Sequence, residues 1–214
     1  MLSKDQLLSA KRRMIEQHLR ARGITDERVL AAMERVPREE FVPDSLRGRA
    51  YDDRALPIEF GQTISQPYTV AFMAQAARLQ GHERVLEIGT GTGYGAAVLS
   101  HLAAEVGTVE RWPELFDSAK QRLERLGFQN VITRLGDGSQ GWIEQAPFEA
   151  IVVTAAAPTL PTAFRGQLSE GGRLIIPIGE PGGGQTMFRF TRRNGKWHEE
   201  ELGLFSFVPL VCSP

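Results

Sequence analysis

Val85-Leu86-Glu87-Ile88-Gly89-Thr90-Gly91-Thr92-Gly93-Tyr94 decides the fold: an apolar run of strand length enters alternating glycines, and the helix-forming stretch Gly95-Ala96-Ala97-Val98-Leu99 follows. A buried strand that passes through glycines into a helix makes a loop for a nucleoside cofactor. Glycine tolerates unusual φ values there, and its missing Cβ lets a ligand lie against the backbone. Pattern alone leaves the cofactor open, since Gly91-Thr92-Gly93-Tyr94-Gly95-Ala96 also fits the dinucleotide fingerprint G-x-G-x-x-A. Charge tilts the choice. Glu87 stands at the strand end beside the loop, where a carboxylate repels a diphosphate but suits the ammonium and sulfonium of S-adenosylmethionine.

Working outward, short apolar runs alternate with longer amphipathic stretches, the signature of βα units on a mostly parallel sheet. Strands are predicted at about 84–88, 106–110, 130–135, 148–154 and 172–178, with helices beginning near Tyr94, Pro113, Ser139 or Gly141, and Pro161. Glu110 ends the second of these strands, 23 residues after Glu87, where a carboxylate accepts from ribose hydroxyls in NAD and S-adenosylmethionine proteins alike. Gly136-Asp137-Gly138 follows the third strand; it reads either as an ordinary turn or as an acceptor for an adenine amino group. Two β-like runs, Thr186 to Arg192 and Leu202 to Leu210, close the sequence around Asn194-Gly195, a hairpin signal because both residues tolerate positive φ. Gly182-Gly183-Gly184 reads as a flexible loop and, with no following Lys-Ser/Thr, not as a Walker-type cradle.

Before the glycine loop, Leu7, Leu8, Met14, Ile15 and Leu19 predict one amphipathic helix and Val29, Leu30, Met33 and Val36 a second, stopped at Pro37. Gly23 ends the first, and Thr25 or Asp26 caps the second. The whole reads as a single domain over 1–214: a helical extension and loop over 1–70, an α/β core over 71–180 and a C-terminal β hairpin over 181–214. At 214 residues and 42% hydrophobic composition, one substantial core is expected. The formal charge of −1 gives no pull towards nucleic acid or anionic lipid, and the first 49 residues reach only +3. One cysteine, Cys212, excludes an intramolecular disulfide, and no apolar stretch has the length of a membrane span, so a soluble cytoplasmic protein is expected. The four histidines lack metal-site spacing, and no metal is expected. A monomer is the default expectation.

In Gly61-Gln62-Thr63-Ile64-Ser65-Gln66-Pro67-Tyr68, spacing assigns Ser65 as the cap of a helix starting near Pro67, with Val70, Met73, Ala74 and Ala77 buried. This run, the Glu87 to Gly93 loop, Gly136-Asp137-Gly138, the stretch from Ala146 to Ala156, and Phe207-Val208-Pro209-Leu210 together resemble the protein-L-isoaspartate O-methyltransferase family over nearly the whole sequence. The resemblance implies a Rossmann-like class I methyltransferase fold, with a mostly parallel sheet, an antiparallel C-terminal strand and an N-terminal helical extension. It implies transfer of a methyl group from S-adenosylmethionine, leaving S-adenosylhomocysteine, to the α-carboxylate of isoaspartyl residues in damaged proteins and peptides.

By the same resemblance Ser65 is the catalytic serine, and Phe60, Gly61, Gln62 and Thr63 border the cofactor pocket. Glu87, Gly89, Thr90, Gly91, Thr92 and Gly93 form its loop, while Glu110, Arg111, Gly136, Asp137 and Gly138 contact ribose and adenine. Two positions depart from the pattern: Glu59 where the family has glycine, and Gly95 where Gln or Asn is common. Thr154-Ala155-Ala156-Ala157-Pro158 differs from the Asp/Asn-Pro-Pro-aromatic motif of nucleic-acid amino-methyltransferases. Asn194-Gly195 is also a favourable place for succinimide formation, because glycine hinders attack by the backbone nitrogen least.

Overall fold

The computed structural model describes residues 3–180 and 183–211. Cys212, and Gly182 of the expected glycine-rich loop, lie outside the described residues.

The first element is α1 (Lys4–Arg13), whose N-terminus is closed reciprocally by Ser3 and Gln6. The predicted first helix is not uniform. Its buried residues Met14, Ile15 and Leu19 fall in a π-helical segment, followed by a 3₁₀ turn that Gly23 ends at φ 93°. Asp26, not Thr25, caps α2 (Glu27–Arg35) by accepting from the Arg28 amide. A short hairpin, β1 (Leu56–Pro57) and β2 (Thr63–Ile64), leads into α3 (Pro67–Ala77). The cap predicted for Ser65 is a misassignment: Gln66 occupies the N-cap position, no side chain caps the helix, and Pro67 starts it with φ already fixed and no N–H to satisfy at that position.

Alternation then begins with β3 (Arg84–Ile88), α4 (Tyr94–Ser100), β4 (Glu105–Glu110), α5 (Pro113–Arg125), β5 (Val131–Leu135), β6 (Phe148–Val153) and α6 (Thr162–Gln167). The helix predicted from Ser139 or Gly141 does not form; two 3₁₀ turns, Gly138–Gln140 and Ile143–Gln145, take its place. Gly141 at φ 66° and Pro147 interrupt the stretch before an α-helix could propagate. The last strands are β7 (Leu168–Ile178), β8 (Gln185–Arg193) and β9 (Lys196–Phe205). β7 starts earlier than its apolar run because Leu168 pairs with Phe148 before an irregularity resets the register at Ala150 and Arg173. β9 begins upstream of the predicted Leu202 to Leu210 run and shares only 202–205 with it. It is an edge strand whose first half is polar and mostly exposed, so it carries no apolar alternation.

The seven strands lie in the order β5-β4-β3-β6-β7-β8-β9, parallel from β5 to β7 and antiparallel at β7-β8 and β8-β9. The period of two divides each inner strand between two cores. Val85, Val152 and Ile175 face the larger core with α2, α3 and α4, while Leu86, Val153 and Ile176 face the other with Phe164. The N-terminal helices therefore cover one face of the sheet.

One buried cation ties them to it. Arg38, 0% exposed, donates from Nε to the Ala50 carbonyl at 2.7 Å and from Nη2 to the Ser65 carbonyl at 2.8 Å, with its guanidinium 4.6 Å from the centre of the Tyr94 ring. Replacing it would orphan two carbonyls and leave a void, so Arg38→Ala is expected to destabilise the protein by about 3 kcal/mol or more. Urea unfolding measures this, and a loss below about 1 kcal/mol would show that the tie is dispensable.

Candidate active site

The strand order reverses between β3 and β6, and ligands of open α/β sheets bind beyond the strand ends at such a point. There a cleft of about 810 Å³ opens, within the range of small-molecule sites. One wall is the glycine loop, with Gly89, Gly91 and Gly93 at φ 96°, 53° and 90°. Thr154, after β6, anchors it by donating from its hydroxyl to the carbonyls of Ile88 and Gly89, both at 2.9 Å. A Cβ on Gly89 would fall 2.4 Å from that Thr154 oxygen, so close packing as well as backbone conformation demands glycine.

Two carboxyl groups flank the loop in different surroundings. Glu110, 5% exposed, is held by backbone donors: Gly91 N–H to Oε2 at 2.8 Å, Arg111 N–H and Trp112 N–H to Oε1 at 2.8 and 3.0 Å. These bonds fix its plane at the end of β4 and leave further lone pairs for hydroxyl donors. Glu87 is 1% exposed, and Oε2 accepts from the Thr108 hydroxyl at 2.7 Å. Thr90 and Thr108 hydroxyls are also 2.7 Å apart; since Thr108 donates to Glu87, Thr90 donates to Thr108. Burial pushes the Glu87 carboxyl up to about 8, and the neighbouring Glu110 charge adds to this, while the Thr108 hydrogen bond opposes it. Burial thus favours the neutral acid, and a cation placed beside the group would favour its ionised form.

The other wall comes from before and after the core. Gln62, Thr63 and Ser65 face the cleft. Ser65 is half-buried, its carbonyl fixed by Arg38, and among the described residues its hydroxyl has no hydrogen-bond partner. The segment from Leu202 to Val211 borders the same space, secured where the Ala156 amide donates to the Val208 carbonyl at 2.8 Å and Leu210 N–H donates to the Ala156 carbonyl at 2.7 Å.

Of the residues singled out in the sequence, Ser65, Gln62, Thr63, Glu87, Gly89, Thr90, Gly91, Thr92, Glu110, Arg111 and Gly138 meet at this cleft, whereas Phe60, Gly61, Gly93, Gly136 and Asp137 do not line it. Asp137 accepts through Oδ1 from the Ser139 amide at 2.9 Å and hydroxyl at 2.7 Å, which closes the turn. Phe60, at φ 58°, stacks on Trp112 with ring centres 5.4 Å apart. Sequence reasoning misses Trp112 although it lies two residues after Glu110 and lines the cleft; its place after a strand-end carboxylate is the available signal. It misses Arg22 and Tyr68 too. They meet at the cleft, guanidinium 3.8 Å from the ring centre, and Arg22 pairs with Asp53 at 2.5 Å. Nothing in their sequence spacing brings them together.

A glycine loop at the switch point of a mostly parallel sheet, flanked by two strand-end carboxyl groups, defines a Rossmann-like nucleoside-binding protein. The family model described as protein-L-isoaspartate(D-aspartate) O-methyltransferase matches residues 9–213. Protein-L-isoaspartate O-methyltransferase 2 of Marinobacter nauticus is 52% identical over 206 residues, 96% of this chain and 94% of its own. The Pelobacter propionicus protein of the same name is 54% identical over 200 residues, 92% of this chain and 88% of its own. A solved protein-L-isoaspartate O-methyltransferase superposes with a TM-score of 0.82 at 33% identity, covering 93% of this chain and 65% of that longer one. A Plasmodium falciparum protein described as a protein-L-isoaspartate O-methyltransferase, solved with S-adenosyl-L-homocysteine, gives a TM-score of 0.80 at 27% identity over 92% of this chain. The chain belongs to the protein-L-isoaspartate(D-aspartate) O-methyltransferase family.

The departure at Gly95 acquires a physical reason. Gly95 sits in the first turn of α4, and a Cβ there would lie 2.2 Å from Glu87 Oε1. Ordinarily Gly→Ala in a helix gains about 0.5–1 kcal/mol. Here Gly95→Ala is expected to lower the thermal midpoint by dislodging the Glu87 carboxyl from Thr108, and to recover the usual gain in a Glu87→Ala background. Equal effects in both backgrounds would refute the coupling.

Proposed function

We propose that the chain transfers the methyl group of S-adenosylmethionine to the α-carboxylate of L-isoaspartyl residues in damaged proteins and peptides, releasing S-adenosylhomocysteine. What carries this is one cleft with the two carboxylates and the glycine loop on one side and an unpartnered serine hydroxyl on the other. When bound, the cofactor supplies an electrophilic methyl on a positively charged sulfur. Glu87 favours that positive end, Glu110 takes the ribose hydroxyls, Arg111 and Trp112 border the nucleoside, and Gly138 leaves room for its base. Phe60 and Gly61 act by shaping the loop that carries Gln62 and Thr63; Gly93 by turning the backbone into α4; Gly136 and Asp137 by setting the turn that presents Gly138.

The acceptor carboxylate is already ionised near neutral pH, so the reaction requires no general base. The task left to the protein is alignment for in-line displacement, with water kept out. Ser65 donates its hydroxyl hydrogen to one carboxylate oxygen and so orients the other; it is not a nucleophile. The segment from Leu202 to Leu210 covers the acceptor side of the cleft. The backbone nitrogen of the isoaspartyl linkage then attacks the ester carbonyl and expels methanol, and water reopens the resulting succinimide partly as normal aspartate. The proposed partners are isoaspartyl proteins and peptides, met by a monomer; the formal charge of −1 gives no pull towards nucleic acid. Among the described residues no helix is long and apolar enough to cross a membrane.

Methyl transfer to an isoaspartyl peptide, with its aspartyl twin as control, tests this function. Turnover is expected on the first alone, and equal turnover on both would overturn the assignment. Ser65→Ala should lower turnover about 10–100-fold with cofactor affinity unchanged. Glu110→Ala should weaken cofactor binding about ten-fold or more, because it also frees the Gly91 amide. Unaltered turnover in the first variant, or unaltered binding in the second, would remove that residue from its role.

A further inference from the structure

The Asn194-Gly195 turn joins β8 to β9 as a two-residue loop, with Arg193 paired to Lys196. Both residues are left-handed, φ 52° and 69°, as a type I′ turn requires. Asn-Gly is chemically vulnerable because the glycine nitrogen is little shielded. That nitrogen attacks Cγ of the asparagine, and a new N–Cγ bond forms as the Cγ–Nδ2 bond breaks. The backbone proton leaves with the expelled ammonia. Water then opens the cyclic imide at either carbonyl, giving aspartate or isoaspartate. The step requires the Gly195 nitrogen to surrender its hydrogen and the turn to leave its left-handed geometry.

Both requirements are opposed from outside the hairpin. Glu170, in β7, accepts from the Asn194 amide through Oε1 and from the Gly195 amide through Oε2 at 3.2 Å. Arg192 Nε lies 3.6 Å from the same Oε2 and helps hold the carboxylate in place. A negative charge accepting the Gly195 hydrogen disfavours its loss, and a two-point grip on consecutive amides fixes the turn. An unclamped Asn-Gly hairpin would have neither restraint.

We propose that Glu170 guards Asn194 against backbone cyclisation, and that Asn194 is the position at which this protein ages when the clamp is lost. Glu170 touches no part of the cleft, so the guard is independent of the transfer reaction.

The test incubates the full-length protein at neutral pH and follows conversion at residue 194 by mass spectrometry with fragmentation that separates aspartate from isoaspartate. Wild type, Glu170→Gln, Glu170→Ala and wild type unfolded in urea are compared. Conversion in Glu170→Ala is expected to run about five-fold or more faster than in native wild type, approaching the unfolded protein. Glu170→Gln, which keeps the shape and one neutral acceptor oxygen, should fall between. Native wild type converting as fast as the unfolded protein, or as fast as Glu170→Ala, would overturn the proposal. Should Glu170→Ala fail to fold, Glu170→Gln decides: a rate equal to wild type overturns the guard, and a faster one supports it.

Discussion

Glu87 places a carboxyl group at the end of the central parallel strand with almost no access to water, and much of the surrounding structure is arranged to tolerate it. Thr108, one strand away, gives it a hydrogen bond, and Thr90 completes the series of hydroxyls from within the glycine loop. Gly95 keeps the first turn of α4 free of the side chain that would evict it. Glu110, pinned by three backbone amides, adds a second acidic group across the same loop. Burial and the neighbouring Glu110 charge both disfavour the ionised form of Glu87. The loop is therefore prepared for a ligand that brings positive charge, which a diphosphate does not.

The acceptor half of the cleft depends on a different tie. Ser65 reaches the site on a loop preceding the sheet, where nothing in the parallel core would hold it. Arg38 supplies the connection, binding the Ser65 carbonyl while lying over Tyr94, the residue that follows the glycine loop. One buried guanidinium thus sets the serine relative to the strand end bearing Glu87. The N-terminal helices enclose this cation as their apolar residues pack on the sheet face, and two backbone carbonyls accept from its Nε and Nη2.

The parts of the fold legible in sequence are those with strong period: β3, β4 and β6 read as apolar runs because α/β strands are buried on both faces. β9 does not, because an edge strand obeys solvent and its partner, not a core. The π-helical segment at Met14–Leu19 keeps its apolar residues inward and is invisible to a count of helical spacing. In the site, Glu87 and Glu110 are found because strand ends are where ligands of this architecture lie. Gly138, beside Asp137, lines the cleft, as the position of this turn at a strand end leads one to expect. Arg22, Arg38 and Tyr68 act through contacts across the N-terminal segment, which no local pattern encodes.

Burial holds Glu87 towards its neutral form, and a bound cation draws it to ionise. Calorimetric titration with S-adenosylmethionine at pH 7, in buffers of different ionisation enthalpy, measures it directly. With the free carboxyl at about 8, binding should release close to one proton per site from Glu87. The release should fade as pH rises above about 8, where the group is already ionised, and should be lost in Glu87→Gln. The same proton count in wild type and Glu87→Gln would contradict the account.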